Sequence, residues 1–518
     1  MKTRLLGIPF AVCLCFIIPA DAADLVGTWI APAPYASIYP GQHISGYPNT
    51  DAVTERFVFT RESGAVSGVF VSMVGKKPLN DLKVEGQTVS FSQGSSRFHG
   101  ELQGDELQLI LNRGNDSKPE SYTCRRATAR DFKIIEAEPK YVFQKLPLPA
   151  LHDVSGKDLA PVPPMGIGNF PLATDREVRK VADEMVAYGL RDAGYVYIQI
   201  DEGWQGRRDA QGNLHPNAKF PDMKKLADYL HSKGLKLGLY SSPGPVACWG
   251  YAGSHGHEEE DAKTLAEWGI DYLKYDWCSA GALYHTQEEM QAAYQKMGAA
   301  LRASGRPIVF GLCQYGLFNV PAWGGKVGGN LWRTTGDIAD NWESMSSNGF
   351  DHNGKLKHLG ADGWNDPDDL QIGKGGMTNE EYRTQMTLWS MMAAPLLIEK
   401  YHNDLASWSP AIKGILLNKE VIAVDQDALG KQGQQASKRD LTEVWSRPLA
   451  DGTTAVALFN RGREEQKVHL RWADLQMGDV QHVRDLWRKV DLGKPAAEYD
   501  AAIPAHGAIL LKVTAKQR

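Results

Sequence analysis

Asp276 closes the stretch Ile270-Asp271-Tyr272-Leu273-Lys274-Tyr275-Asp276-Trp277-Cys278, an apolar-alternating run that reads as a buried strand ending in a carboxylate. A charge at the tip of a buried strand costs free energy unless something uses it. Lys274 stands two residues earlier, so it shares a strand face with Asp276. Its ammonium would keep Asp276 ionised, as a nucleophile must be. Further on, Leu331-Trp332-Arg333-Thr334-Thr335-Gly336-Asp337-Ile338-Ala339-Asp340-Asn341-Trp342 sets a second carboxylate, Asp337, beside Arg333 and between tryptophans. Two carboxylates with aromatic platforms are equipment for cleaving a glycosidic bond.

Such groups need a scaffold, and the chain supplies three kinds of segment. From about 162 to 430, apolar strands alternate with amphipathic helices such as 175–193 and 220–233. Strands are expected to end near Asp201, Tyr240, Asp276, Cys313, Arg333, Asp362 and Leu397. This alternation predicts an α/β fold, an eight-stranded (β/α)8 TIM barrel over residues 163–430, with its site where the strands end. Acidic residues after strands are also common helix caps, but capping does not account for the Trp-rich clusters there. Residues 24–145 read as short strands with Gly turns, an N-terminal all-β accessory domain shaped as a small barrel or sandwich. Carbohydrate binding and plain packing both suit such a module. A Pro-rich linker spans 146–162. Residues 433–518 return to strands, an antiparallel C-terminal β-sandwich.

The chain has 518 residues, enough for two or three domains. Its net charge of -5 is small for that length and gives no reason to invoke nucleic acid or an anionic membrane. Lys2 and Arg4, the apolar run Leu5 to Pro19 and the small-x-small site Ala20-Asp21-Ala22 read as a signal peptide over 1–22, placing the protein outside the cytoplasm. No later run reaches the length of a membrane span. Cys124, Cys248, Cys278 and Cys313 remain after the signal, and an exported protein can form disulfides. No Cys or His spacing suggests a metal, His255 and His257 included, and nothing points to an organic cofactor.

Taken in order, several motifs resemble glycoside hydrolase family 27, the α-galactosidase and α-N-acetylgalactosaminidase family. They are Pro163-Pro164-Met165-Gly166, Asp201-Glu202-Gly203-Trp204-Gln205, Lys236-Leu237-Gly238-Leu239-Tyr240-Ser241, His257-Glu258-Glu259-Glu260-Asp261-Ala262-Lys263, Tyr272 to Asp276, Arg333 to Trp342, Gly363-Trp364-Asn365-Asp366-Pro367-Asp368 and Asn418 to Val424. The resemblance covers roughly residues 160 to 515. It implies that Asp276 is the nucleophile and Asp337 the acid and then base of a retaining double displacement. It also implies a disulfide between Cys248 and Cys278, a free Cys313 lining the pocket, and sugar contacts from Asp201, Glu202, Tyr240, Lys274, Gln314, Arg333 and Asp366. Asp337 has to start protonated, so its surroundings should be less cationic, or its pKa raised by Asp276. Asp340 reads as a helix residue. Asp366 and Asp368 also read as turn formers around Pro367, and Trp364 serves packing or stacking equally well.

Three departures bear on substrate. Gly166-Ile167-Gly168-Asn169-Phe170 replaces the Gly-Trp-Asn-Ser-Trp usual in the family, so one pocket wall loses an indole. Asp201-Glu202 replaces Asp-Asp, whose carboxylates hold O4 and O6 of galactose in the family. The extra methylene of Glu202 should push into the C6 hydroxymethyl space, and a subgroup acting on β-L-arabinopyranosides resembles this chain there. Gln314 replaces Glu near the C2 substituent. The expected partners are therefore α-D-galactosides, or β-L-arabinopyranosides, of plant oligo- and polysaccharides. A non-catalytic sugar-binding protein is the reading from another class, and the paired carboxylates with their basic neighbours disfavour it.

Overall fold

The computed structural model describes residues 25–31, 56–63, 65–72, 75–93, 96–112, 119–132, 144–155, 159–356, 363–400 and 403–516. The expected signal peptide and the strand end at Gly360 to Asp362 lie outside them. The chain divides into two compact units, with the break near Lys140.

In the second unit, eight parallel strands run in chain order: Met165–Phe170, Tyr197–Ile200, Lys236–Ser241, Tyr272–Asp276, Val309–Cys313, Leu331–Arg333, Trp364–Asp366 and Leu396–Glu399. Each of the first seven pairs with its sequence neighbours among them, the eighth pairs with the first, and a bridge from Leu370, just past the seventh strand, to Ile398 of the eighth closes the ring. The result is a (β/α)8 barrel. The seventh strand, as described, is Trp364–Asp366. Trp364 fits this place because it packs with Tyr197, Tyr272, Val309 and Leu331 in one apolar layer, and its Nε1 donates to the Ala160 carbonyl at 2.9 Å. That layer settles Trp364 as a packing residue.

Strand periodicity then fixes what sits above the layer. Two residues past Tyr272 comes Lys274, and two further comes Asp276; past Leu331 comes Arg333, and past Trp364 comes Asp366. The intervening Leu273, Tyr275, Ile198, Leu237, Phe310 and Leu312 join the core shared with the helices. Apolar side chains thus plug the lower barrel, and charged ones collect at the carboxyl ends.

Local signals set the helices. Thr174 and Glu177 form a capping box that starts Asp175–Ala187. Gly189, in the left-handed region at φ 80, breaks the expected continuation, and Leu190–Ala193 follows as a separate turn. Asp222 caps Met223–Ser232, shorter than the expected 220–233. Where described, the Pro-rich segment is hydrogen-bonded to this unit: His152 N–H donates to Gln295 and Val154 N–H to the Lys326 carbonyl.

Downstream, six antiparallel strands and the pair Gln466–Arg471 with Glu498–Ile503 form a sandwich around Val444, Val456, Leu458, Val468, Leu470 and Leu511. The strands Gln434–Arg439, Val480–Asp485, Val490–Gly493 and Glu498–Ile503 are short or strongly polar, so their own sequence signal is weak.

The first unit holds a nine-stranded antiparallel sheet, in which Gly27–Ile30 pairs with both Arg56–Glu62 and Glu120–Arg126. Its two edge strands, Gly75–Pro78 and Asn80–Glu85, are separated in sequence by Leu79 alone. One residue spans less than about 4 Å, so the sheet must curl until its edges nearly meet. Trp29, Phe57, Phe59, Phe91 and Phe98 fill the inside. Cys124 is buried there as a free thiol, its pKa pushed up to about 12 by burial.

Candidate active site

Asp276 lies at the end of the fourth barrel strand, and burial is the main reason its pKa rises to about 6. Lys274 opposes that rise, and the Tyr315 hydroxyl also opposes it by donating to Oδ1 at 2.5 Å. The ammonium of Lys274 is not spent on Asp276 directly. Its Nζ pairs with Asp201 Oδ2 at 2.8 Å and lies 5.5 Å from the centre of the Tyr240 ring. Burial works against charge on Lys274, yet the carboxylates around it, Asp201 first, hold the ammonium charged well above its ordinary range.

Asp337 follows the sixth strand and is half exposed, with Arg333 Nη2 donating to its Oδ1 at 2.9 Å. The expectation of less cationic surroundings therefore does not hold in the free protein. Arg333 is buried because its strand is, and it gathers several partners: Asp337, Asp368 Oδ2 at 2.9 Å and the Thr335 carbonyl at 3.2 Å. Asp276 and Asp337 are near enough that the second charge helps raise the pKa of the first.

Glu202 is fully buried, and its carboxylate is turned to the backbone. Trp249 N–H donates to both oxygens at 2.8 and 2.9 Å, and Tyr251 N–H to Oε1 at 3.3 Å. Burial first, then Asp201, pushes its pKa well above the usual carboxylate range. The loop it ties carries Cys248, bonded to Cys278 at the foot of the fourth strand's exit. Tyr240 OH donates to Cys278 Sγ at 3.1 Å, so the bridge also orients this phenol. The bridge closes a sequence separation of 30 residues. Replacing both cysteines with serine should cost the barrel about 3 kcal/mol of unfolding free energy, read from the shift of its urea transition.

Cys313 is a free, buried thiol at the end of the fifth strand, 3.8 Å from Arg333 Nη1. Gln314 has no exposed surface, and its Nε2 donates to the Arg333 carbonyl at 2.9 Å. That bond braces the strand end. Asp366 is buried, with its pKa raised to about 6 by burial, and its Oδ1 accepts from Asp368 N–H at 2.8 Å. It is thus both a turn former and part of the buried charged layer. Asp340 precedes the N-cap Asn341 and accepts from Tyr382 OH, so it is a loop residue, not a helical one.

Sequence reasoning gave Asp368 only a turn-forming role and passed over Glu399 and Tyr315. Asp368 pairs with Arg333 and accepts from Ile338 N–H at 2.8 Å. Glu399, ending the eighth strand, pairs with Lys374 Nζ at 2.8 Å and accepts from Asn169 Nδ2 at 3.0 Å. Tyr315 reaches Asp276 from a left-handed backbone at φ 62. The Asp-Pro-Asp-Asp run could have flagged the first; the other two depend on backbone direction.

Known proteins place this arrangement. Residues 173–427 match the alpha galactosidase A family pattern, and 439–513 match the alpha galactosidase C-terminal beta sandwich domain. An alpha-galactosidase from Cyamopsis tetragonoloba is 42% identical over 366 residues, 69% of this chain and 87% of its own. The crystal structure of alpha-galactosidase I from Mortierella vinacea superposes with a TM-score of 0.65 at 32% identity, covering 70% of this chain and 99% of that one. A β-L-arabinopyranosidase from Geobacillus stearothermophilus does so with a TM-score of 0.61 at 27% identity, covering 69% and 97%. On the order of its motifs, its closed barrel with a sandwich behind it, and these likenesses, the chain belongs to the alpha-galactosidase family of glycoside hydrolases.

Proposed function

We propose that the protein is an exported retaining exo-glycosidase that releases terminal α-D-galactosyl residues. Asp276 forms the covalent glycosyl-enzyme, and Asp337 protonates the leaving oxygen and then takes a proton from water. The observation that carries the reading is the pair Asp276 and Asp337, at the carboxyl ends of the fourth and sixth barrel strands, with the charges of Lys274 and Arg333 acting on them. Lys274 and Asp201 form a paired donor and acceptor for ring hydroxyls. Arg333 steadies Asp337, while Tyr240 and the Cys248–Cys278 bridge shape the opposite wall. Plant galactosyl oligosaccharides and polysaccharides are the substrate class. The basic start and apolar run of residues 1–22 support export, and among the described residues no helix is long and apolar enough to cross a membrane.

Glu202 supports a second reading, hydrolysis of β-L-arabinopyranosides. Its carboxylate holds the backbone of Trp249 and Tyr251, so Glu202 and this loop together set the room left for a C6 group. The experiment is kcat/KM on aryl α-D-galactopyranoside and aryl β-L-arabinopyranoside, for the wild type and Glu202→Asp. The galactosidase reading expects wild type to favour the galactoside, with a small change of ratio in the variant. A wild type that favours the arabinoside, and a variant whose ratio swings toward galactoside by about 10- to 200-fold, would make the second reading the function.

A further inference from the structure

The two oxygens of Asp276 stand in different surroundings. Oδ1 accepts from the Tyr315 hydroxyl at 2.5 Å, whereas Oδ2 has no hydrogen-bond partner among the described residues. Tyr315 lies two residues beyond the fifth barrel strand, Val309–Cys313. Its φ of 62 belongs to a region that non-glycine residues seldom occupy. Gly316 follows at φ 82 against the Thr334 carbonyl, where a Cβ would lie 2.2 Å from that oxygen. This tight turn sends the phenol back toward the fourth strand. Among the described residues, the other side-chain contact of the hydroxyl is Cys248 Sγ at 3.9 Å, a disulfide sulfur that can only accept. A phenol has one proton to give, and the distances assign it to the carboxylate. Burial first, and then Asp276, hold the phenol well above its ordinary pKa, so it remains a donor.

We propose that Tyr315 is a positioning residue for the displacement: it fixes Asp276 Oδ1 and leaves Oδ2 as the atom that bonds to the anomeric carbon. The inference rests on the retaining reading above. In the first step an Oδ2 lone pair forms the bond to the anomeric carbon. The bond to the aglycone oxygen breaks with its electron pair, and that oxygen takes the proton of Asp337. Oδ1 becomes the carbonyl oxygen of the ester, and its bond to Tyr315 weakens as the carboxylate charge is consumed. In the second step water bonds to the anomeric carbon while giving a proton to Asp337. The electron pair of the broken C–Oδ2 bond returns to the carboxylate, and the Tyr315 bond strengthens with it. The phenol therefore favours the step in which Asp276 leaves.

The other groups that act on Asp276 come from several elements. Lys274 shares its strand, Asp201 and Glu202 follow the second strand, and Asp337 follows the sixth. Tyr240 from the third strand, Cys313 from the fifth and Tyr294 from the helix Gln287–Ala303 also feel its charge. Of these, Lys274 favours the ionised form and the carboxylates oppose it. Taking away the phenol leaves the nucleophile harder to ionise.

The test compares pH profiles of kcat and kcat/KM for the wild type and Tyr315→Phe on an aryl α-galactoside and an aryl β-L-arabinopyranoside. Tyr315→Phe should lower kcat roughly 10²-fold and move the acid limb of kcat/KM upward by about one pH unit. A burst of phenol release should appear as the ester accumulates. Superimposable limbs, with kcat within about twofold, would overturn the proposal. Placing a fluorotyrosine at 315, a stronger donor of nearly the same shape, should move the limb downward even if the Phe variant folds poorly; an unmoved limb again overturns it. A wild type that turns over neither glycoside removes the retaining reading and this inference together, whereas an active wild type with an unaltered Tyr315→Phe profile removes this inference alone.

Discussion

Asp276→Ala should abolish turnover, with kcat falling at least about 10⁴-fold on every glycoside the wild type accepts. No neighbouring carboxylate can take over. Asp201 is paired with Lys274, Glu202 is bound to the backbone of Trp249, and Asp368 is paired with Arg333. The variant should still bind the free monosaccharide, because Lys274, Asp201 and Arg333 remain. Azide, small enough for the space vacated, should restore release of an activated aryl group and give a glycosyl azide of inverted configuration. The measurement is initial rate with and without azide, beside sugar binding by calorimetry. Turnover within about tenfold of wild type would remove Asp276 from the chemistry and revive the reading of a binding protein. The wild-type profile carries a sign as well. Burial pushes the Asp276 pKa up to about 6, so kcat/KM should fall as pH drops through that region and the attacking carboxylate takes up a proton.

Asp337→Asn should show a loss that depends on the leaving group. Proton transfer of this kind contributes about 10²- to 10⁴-fold, and a nitrophenolate leaves without it. Alkyl galactosides should therefore lose the full factor, while the first step on a dinitrophenyl galactoside should change little and the water step should become limiting. Comparing kcat/KM across a series of aryl leaving groups checks this; equal losses along the series would exclude Asp337 as the acid. Arg333 Nη2 lies equally close to Asp337 and Asp368, at 2.9 Å from each. The guanidinium is thus shared between the two carboxylates, and bound substrate can draw it from Asp337 toward Asp368 or a sugar hydroxyl.

Much of this pocket is written in strand periodicity. Tyr272, Lys274 and Asp276 alternate with Leu273 and Tyr275, so the inward face and the charge at its end follow from spacing alone. The barrel is legible for the same reason, and the C-terminal sandwich from its apolar strands. Legibility stops where a side chain's direction depends on a turn or a distant loop. Tyr315 points at Asp276 because its backbone is left-handed, which no periodicity encodes. Gln314, one residue earlier, turns its amide to the Arg333 carbonyl. The extra methylene in Glu202 reads from sequence as volume added to the pocket, but its carboxylate is claimed by two backbone N–H groups some fifty residues on. In the first unit, the pairing of Gly27–Ile30 with Glu120–Arg126 joins segments too far apart for local signals to link.

That claim on Glu202 bears on how such a pocket can change over generations. Position 202 and the turn at Trp249 to Tyr251 are one mechanical unit, pinned at its other side by Cys248. Shortening residue 202 draws its carboxylate away from these two backbone N–H groups, and a shift of the turn's backbone would leave a buried carboxylate without its donors. Substitutions here should be strongly non-additive. A library aimed at new sugars should therefore vary 202 and 249–251 together.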